Sequence, residues 1–107
     1  MTGCCGFIGS HVFEFFVKKY PNTFFINIDK LDYCSSTKFM SDNIIKNCTN
    51  FKFIKGNLKS RDLIHLILND YNIDAVIHFA AQSHVDNSFE NSIVFTQDNI
   101  LATHCLL

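Results

Sequence analysis

Residues 3–9 read Gly3-Cys4-Cys5-Gly6-Phe7-Ile8-Gly9, and the interpretation of the whole chain starts from this stretch. Glycines allow a tight turn and a close approach of the backbone to a diphosphate, while a helix that begins after the turn offers N–H groups and positive potential. Apolar residues then recur at helical spacing to Tyr20, and Pro21 stops the helix. A glycine turn that opens an amphipathic helix is typical of diphosphate sites, although the pattern alone is weak.

Strands and helices alternate downstream of this helix. Apolar runs predict buried parallel strands at Thr23 to Ile28, Phe51 to Lys55 and Ala75 to Phe79. Helices are predicted weakly over Ser36 to Lys46, more clearly from an N-cap at Ser60 to about Tyr71, and from Ser88 to Leu107 after a loop at residues 80–87. This order predicts an α/β fold, a Rossmann-type doubly wound parallel sheet.

The predicted sheet is partial, because the strand expected before the glycine turn and the C-terminal half of such a fold are missing from the sequence. Residues 1–107 are therefore interpreted as one partial nucleotide-binding domain with no second domain. The missing strand should lie centrally, between the strand that ends at Asp29 and the one that ends at Phe79. Its loss should leave unpaired inner edges, so we expect the isolated chain to be marginally stable or prone to aggregate.

The composition excludes several classes of partner and site. A formal net charge of -1, with acids and bases scattered, gives no reason to expect nucleic acid or an anionic membrane. The N-terminal residues show no basic region ahead of an apolar run, and no apolar run approaches the roughly 20 residues that span a bilayer, so neither secretion nor a transmembrane segment is expected. Its five cysteines are odd in number and lack C-x-x-C spacing, which argues against disulfides and against a metal site. A reducing cytoplasm is the expected location.

Asp29 closes the strand about 20 residues after the glycine turn, where a carboxylate can accept hydrogen bonds from both hydroxyls of a nucleotide ribose. A carboxylate there also repels a 2′-phosphate, so the sequence favours NAD over NADP. Taken alone, Asp29 could equally be a solvated residue in a strand-end turn. Joined to the glycines, it makes the cofactor interpretation the stronger one.

Three segments and two single residues carry a resemblance to a known family: residues 2–11, residues 28–34, residues 78–88, Asn99 and Thr103. The chain resembles an extended short-chain dehydrogenase/reductase, and within that group the dTDP-glucose 4,6-dehydratases and the closely related UDP-glucose 4,6-dehydratases. The resemblance covers the whole chain, and residues 78–88 are the most discriminating segment.

The resemblance implies site residues. The positions expected to contact NAD are Gly3, Gly6, Phe7, Ile8, Gly9, Asp29, Lys30, Leu31, Asp32, Asn57, Leu58, Ala80, Ala81 and Ser83. Those expected to face the hexose of a nucleotide-sugar substrate are Ser83, His84 and Asp86. Without the resemblance, His84 and Asp86 would be interpreted as exposed loop residues. Where the family usually has Gly-Asp, this chain has Gly56-Asn57, whose amide oxygen can still accept a hydrogen bond from adenine.

The resemblance also implies an activity, that of an NAD-dependent lyase converting dTDP-glucose into dTDP-4-keto-6-deoxyglucose, and a homodimer for the complete enzyme. The family's Tyr-x-x-x-Lys pair is not found in these residues, so no position is assigned a catalytic role and the chain alone is expected to be inactive. Alternatives are part of a UDP-glucose 4,6-dehydratase, an inactive dinucleotide-binding remnant, or an α/β remnant with no ligand. A GDP-mannose dehydratase ranks lower, because Asp29 stands where an NADP enzyme favours a basic residue.

Two other kinds of chemistry are weighed and set aside. Ser83, His84 and Asp86 invite a hydrolase triad, but alternate residues of one loop seldom converge through hydrogen bonds. Vicinal Cys4 and Cys5 could indicate redox chemistry or an activated thiolate at a helix start. They occupy the variable positions of the glycine turn, so packing is the favoured interpretation.

Overall fold

The computed structural model describes residues 1–39 and 42–107, which form two compact units. The first unit comprises Met1–Lys55 and Val76–Ala80, and the second comprises Gly56–Ala75 and Ala81–Leu107. Within the described residues, no helix is long and apolar enough to cross a membrane. No group of three or more His, Cys, Asp or Glu residues in those same ranges is arranged to hold a metal ion.

The first unit is built on two parallel strands and the helix that follows the glycine turn. Its elements are α1 (Phe7–Lys19), β1 (Phe25–Asp29), a 3-10 turn (Thr37–Phe39), α2 (Asp42–Asn47) and β2 (Phe51–Lys55). The two strands pair in parallel from Phe25 opposite Phe51 to Asp29 opposite Lys55. The predicted first helix and both of these strands are confirmed to within two residues. The weak helix predicted over Ser36 to Lys46 corresponds to the 3-10 turn and α2, with residues 40–41 outside the described ranges.

The core of the first unit lies between α1 and the sheet. Phe13 is fully buried on α1 and contacts Phe25 and Phe51 edge to face, with ring centroids 6.4 and 5.5 Å away. Every residue of β1 is buried, as expected for an inner parallel strand. Val17 and Ile44 complete the apolar cluster.

Residues 1–3 occupy the central strand position that was predicted to be missing. Thr2 forms parallel bridges to Ile28 on one side and to His78 on the other. The N–H of Thr2 donates to the carbonyl of Ile77 at 3.0 Å, and the N–H of Gly3 donates to that of Ile28 at 2.9 Å. The predicted central place of this strand is therefore correct, and its carboxyl end is present.

The prediction of a third buried strand from Ala75 to Phe79 is wrong. Only the bridge at His78 is formed, and Ala75 and Val76 are exposed. A parallel strand requires a ladder of several residue pairs, and Thr2 is the one bridge partner of this segment in the described chain. Within residues 1–39 and 42–107, this apolar run meets no further strand that would bury it.

The second unit is helical: α3 (Arg61–Asp70), α4 (Val85–Glu90), α5 (Ser92–Thr96), a π-helical turn (Gln97–Leu101) and α6 (Ala102–Leu106). The helix predicted from Ser60 is confirmed, but the Ser60 hydroxyl forms no capping hydrogen bond within the described residues. The predicted loop at residues 80–87 ends early, because α4 begins at Val85. The predicted final helix is interrupted at Asn91 and contains the π-helical turn. Neither the interruption nor the turn was predicted from the sequence.

Candidate functional site

Position 3 of the turn requires glycine. Its φ of 70° lies in the left-handed region, and a Cβ built on it would lie 2.4 Å from the backbone N of Ala80. The N–H of Phe79 donates to the carbonyl of Thr2 at 3.0 Å, which holds residues 79–80 against the turn. A side chain at position 3 would therefore be strained and would collide with the backbone.

Gly9 allows α1 to pack directly on the turn. A Cβ at this position would lie 2.4 Å from the carbonyl oxygen of Gly3 and 3.0 Å from Cα of Cys4. Gly6 is the N-cap of α1, and its N–H donates to the same Gly3 carbonyl at 3.2 Å. The three glycines thus bring one backbone carbonyl, the turn and the start of the helix into close contact.

The N terminus of α1 has the properties of an anion site. The N–H of Ser10 donates to the carbonyl of Gly6 at 3.0 Å, so Phe7, Ile8 and Gly9 precede the first intrahelical bond of the described helix. The side chains of Phe7 and Ile8 are 69% and 67% exposed, and the first turn contains no acidic residue among those described. Positive potential from the helix dipole is therefore left for a ligand.

Asp29 is fixed beside this turn. Its Oδ2 accepts a hydrogen bond from the N–H of Cys5 at 2.9 Å, and its Oδ1 accepts one from the N–H of Leu31 at 2.8 Å. The residue is only 7% exposed, so it is not the solvated turn residue that was weighed against the cofactor interpretation. Each carboxylate oxygen has a second lone pair, so both can still accept a hydroxyl.

The backbone after Asp29 is bent sharply. Leu31 has a φ of 58°, a left-handed conformation that is strained for a side chain of this size. The strain is offset in part by the bond from its N–H to Asp29. Lys30 and Asp32 flank Leu31 and form an ion pair with Nζ and Oδ2 2.5 Å apart. The four predicted ribose-end residues, 29–32, thus form two interacting pairs, Asp29 with Leu31 and Lys30 with Asp32.

Asn27 was missed by the sequence reasoning. It is fully buried, its Oδ1 accepts a hydrogen bond from the N–H of Cys4 at 3.3 Å, and its Nδ2 donates to Sγ of Cys5 at 3.7 Å. The available signal was its position, because a polar residue two before Asp29 in a buried strand must share the face of Asp29.

Cys4 and Cys5 are packing residues, as predicted. Both are fully buried. Burial raises the pKa of the Cys4 thiol to about 12, and burial together with the negative charge of Asp29 raises the pKa of the Cys5 thiol to about 11. The thiolate form is strongly disfavoured in both, which is the opposite of an activated nucleophile.

The remaining predicted site residues belong to the second unit. Ser83, His84 and Asp86 are exposed, with His84 at the N-cap of α4 and Asp86 in its first turn. Oδ1 of Asn57 accepts the N–H of Lys59 at 3.0 Å, while Leu58 is buried and Ala81 is exposed. Their roles in binding stay predictions.

A polar network fixes the loop before α4, and three of its members, Lys59, Gln82 and Asp98, were not predicted as site residues. Gln82 donates from Nε2 to Oδ2 of Asp98 at 3.0 Å, and Lys59 forms an ion pair with Oδ1 of the same carboxylate at 3.0 Å. Asp98 is 8% exposed and lies in the π-helical turn. Its neighbour Asn99 pairs with the backbone of Gln82. A charged side chain within an apolar helix was the available signal.

The structure thus brings ten of the predicted residues into the first unit: Gly3, Gly6, Phe7, Ile8, Gly9, Asp29, Lys30, Leu31, Asp32 and Ala80. The others, Asn57, Leu58, Ala81, Ser83, His84 and Asp86, lie in the second.

The chain is similar in sequence to curated relatives and in fold to solved structures. The chain is 50% identical over its full length to a trifunctional UDP-glucose 4,6-dehydratase/UDP-4-keto-6-deoxy-D-glucose 3,5-epimerase/UDP-4-keto-L-rhamnose-reductase of Arabidopsis thaliana, covering 16% of that protein. It is also 50% identical to the dTDP-D-glucose 4,6-dehydratase of Dictyostelium discoideum, covering 24% of it. The chain therefore spans less than a quarter of the length of these two relatives.

The fold matches that of a solved dTDP-glucose 4,6-dehydratase from Streptomyces venezuelae, crystallised with NAD bound. The TM-score is 0.84 and the identity 33%, over 98% of this chain and 33% of the other. This match confirms the predicted Rossmann-type α/β class. Residues 1–107 also match the family described as GDP-mannose 4,6 dehydratase from end to end. Together with the glycine turn and the fixed carboxylate beside it, this match shows that the chain belongs to the GDP-mannose 4,6-dehydratase family.

Proposed function

We propose that this chain is the NAD-binding N-terminal part of a nucleotide-sugar 4,6-dehydratase that acts on dTDP-glucose. The observation that carries the proposal is the contact between Asp29 and the glycine turn. Its Oδ2 lies 2.9 Å from N of Cys5, so a ribose-binding carboxylate and a diphosphate-binding helix N terminus are held by one hydrogen bond.

The residues of the first unit fit a dinucleotide. The N–H groups of Phe7 and Ile8 would donate to the diphosphate, and the carboxylate of Asp29 would accept from the adenosine ribose. The backbone at Ala80 lies directly against Gly3, where a Cβ would come within 2.4 Å of the Ala80 nitrogen, so a proposed cofactor contact is held beside the glycine turn. When bound, NAD supplies a hydride acceptor and donor for the sugar.

NAD is favoured over NADP by charge. A 2′-phosphate would meet the carboxylate of Asp29, which is already fixed by two backbone bonds and cannot turn away without losing them. Lys30 is the nearest cation in sequence, but its ammonium is paired with Asp32. Asp29 is largely buried, and like charges repel more strongly beside a buried carboxylate than they do in water.

In the second unit, Asn57, Leu58, Ala81 and Ser83 are proposed as further cofactor contacts, and Ser83, His84 and Asp86 as contacts to the hexose. Exposed side chains at positions 83, 84 and 86, on a loop anchored through Gln82 and in the first turn of α4 that follows it, support this assignment. Such a loop offers polar groups to a ligand while its backbone stays fixed.

For the complete enzyme we propose a lyase reaction. The glucosyl group would be oxidised at C4, water would be eliminated across C5 and C6, and hydride would return to C6. No residue of this chain is assigned to those proton transfers, so the chain alone is expected to bind and not to turn over. A homodimer and a cytoplasmic location are proposed with it. Residues 1–107 are proposed to be one partial domain despite their two compact units.

A second candidate is a UDP-glucose 4,6-dehydratase. The 50% identity to the Arabidopsis thaliana protein favours it, because that protein and the dTDP-specific one from Dictyostelium discoideum are equally similar to the chain. Both candidates predict the same NAD site.

The test is calorimetric titration of the purified chain with NAD⁺ and NADP⁺. Saturable NAD⁺ binding, at least tenfold tighter than NADP⁺ binding, is expected, and Asp29→Ala should remove most of that preference. If NAD⁺ does not bind the folded chain, the proposal fails, and the ligand-free α/β remnant becomes the better description. Binding without turnover would still leave an inactive nucleotide-binding remnant, which activity of the complete protein on dTDP-glucose or UDP-glucose would exclude.

A further inference from the structure

Asn27 and Asp29 stand two residues apart on β1, so their side chains share one face of the strand. Asn27 bonds the N–H of Cys4, and Asp29 bonds the N–H of Cys5. Two successive N–H groups of the glycine turn are thus held by two successive side chains of one strand face. We infer that Asn27 is a positioning residue for the diphosphate of NAD, acting through the turn rather than touching the ligand. The inference rests on the proposed function.

An apolar residue would be costly at position 27 even though the site is buried. Cys4 is 0% exposed, so removing the Asn27 amide would leave the Cys4 N–H without its acceptor and without access to water. A buried N–H in that state costs more than a lost hydrogen bond, and the backbone moves to relieve it. The movement would occur between Gly3 and Gly6, where the turn leads into α1.

The two anchors serve different parts of a nucleotide. Asp29 is itself a proposed ribose ligand, and its bonds to Cys5 and Leu31 do not pass through Asn27. Asn27 fixes Cys4, three residues ahead of Phe7, whose N–H is a proposed diphosphate donor. Loss of Asn27 should therefore weaken binding of the diphosphate more than binding of the adenosine.

The experiment compares adenosine, ADP and NAD⁺ as ligands of the whole chain, titrated by NMR, for the wild type and two variants. Asn27→Leu removes the acceptor while keeping a side chain with the same number and branching of heavy atoms. Asn27→Thr keeps a side-chain oxygen and suits a strand, and it answers the question if the leucine variant does not fold. Asn50→Leu is the control, because Asn50 also holds backbone carbonyls of the first unit, those of Val17, Tyr20 and Thr23, at the opposite end of β1.

We expect Asn27→Leu to weaken ADP and NAD⁺ binding about tenfold, the usual effect of a lost buried hydrogen bond, and to change adenosine binding less than about twofold. Asn27→Thr should show a smaller loss in the same direction, and Asn50→Leu should lower thermal stability without this selectivity. Unchanged NAD⁺ affinity in the Asn27 variants, or an equal loss for adenosine and ADP, overturns the inference. A wild-type chain that binds none of the three ligands overturns the proposed function instead.

Discussion

Asn99 pairs with both backbone groups of Gln82, as a neighbouring strand would. Its Oδ1 accepts the N–H of Gln82 at 2.7 Å, and its Nδ2 donates to the carbonyl of Gln82 at 3.0 Å. Thr103 in turn donates from Oγ1 to the carbonyl of Asn99 at 2.7 Å. One amide side chain in the π-helical turn thus bonds both backbone groups of a loop residue. π-Helical turns often occur where a helix must present side chains for function.

The Asn99 pair predicts slow hydrogen exchange at a loop position. In the wild type, the backbone amide of Gln82 should exchange its hydrogen far more slowly than the backbone amide of Ser83, because Ser83 is exposed to solvent. Asn99→Leu removes both bonds and should destabilise the second unit by about 1–3 kcal/mol. NMR-detected exchange measures both effects. Ile100→Ala is the control, since Ile100 is exposed in the same turn. Fast exchange of the Gln82 amide in the wild type would contradict the pairing.

Among substitutions that add one methyl group to the first unit, Gly3→Ala should lower the free energy of unfolding the most. It combines a left-handed backbone with a Cβ 2.4 Å from the N of Ala80, neither of which a side-chain movement can relieve. A loss of about 2–4 kcal/mol in the free energy of unfolding is expected, measured by urea titration. Gly56→Ala is the matched control, because Gly3 is the one glycine with positive φ in the described chain. Similar losses in the two variants would show that the close approach is not what requires glycine.

The sequence predicted those helices and strands that pack against other elements of this chain. β1, β2, α1 and α3 were found from periodicity because their buried faces meet neighbours that are present. The prediction of a strand over Ala75 to Phe79 was wrong, because an apolar pattern shows which residues could be buried and not whether a neighbouring strand is there to bury them. The glycine turn and Asp29 were recognised from spacing, yet the role of Asn27 depends on which face of β1 meets Cys4. The π-helical turn has no sequence signature, so the pairing of Asn99 with Gln82 could not be derived.

His78 should resist protonation. Its Nδ1 lies 2.6 Å from Oγ1 of Thr2, and burial lowers the pKa of the imidazole below its ordinary value. A group whose folded pKa is depressed contributes stability above its unfolded pKa, near 6.5, and that stability is lost as the pH falls through the folded pKa. The thermal midpoint should therefore drop between pH 7 and pH 5, and His78→Gln should reduce that drop. An NMR titration of the His78 ring that gave a pKa above 6.5 would reverse the expected sign.

Cys4 and Cys5 should make the folded chain sensitive to alkaline pH while leaving both thiols unreactive near neutrality. Because their pKa values in the fold are about 12 and about 11, against 9.0 for an unperturbed thiol, folding opposes ionisation. Stability is complete below pH 9 and is lost as the pH rises through 11 to 12, since the unfolded chain then releases more protons than the folded one. Denaturant midpoints at pH 8 and pH 10.5 measure the loss, and Cys5→Ala should reduce it.

At pH 8 a thiol reagent should label the exposed Cys34 quickly, and it should label Cys4 and Cys5 only when the chain unfolds. Rapid labelling of Cys4 or Cys5 in the native chain would mean that the turn opens, and with it the contact between Cys5 and Asp29 on which the proposed cofactor site depends.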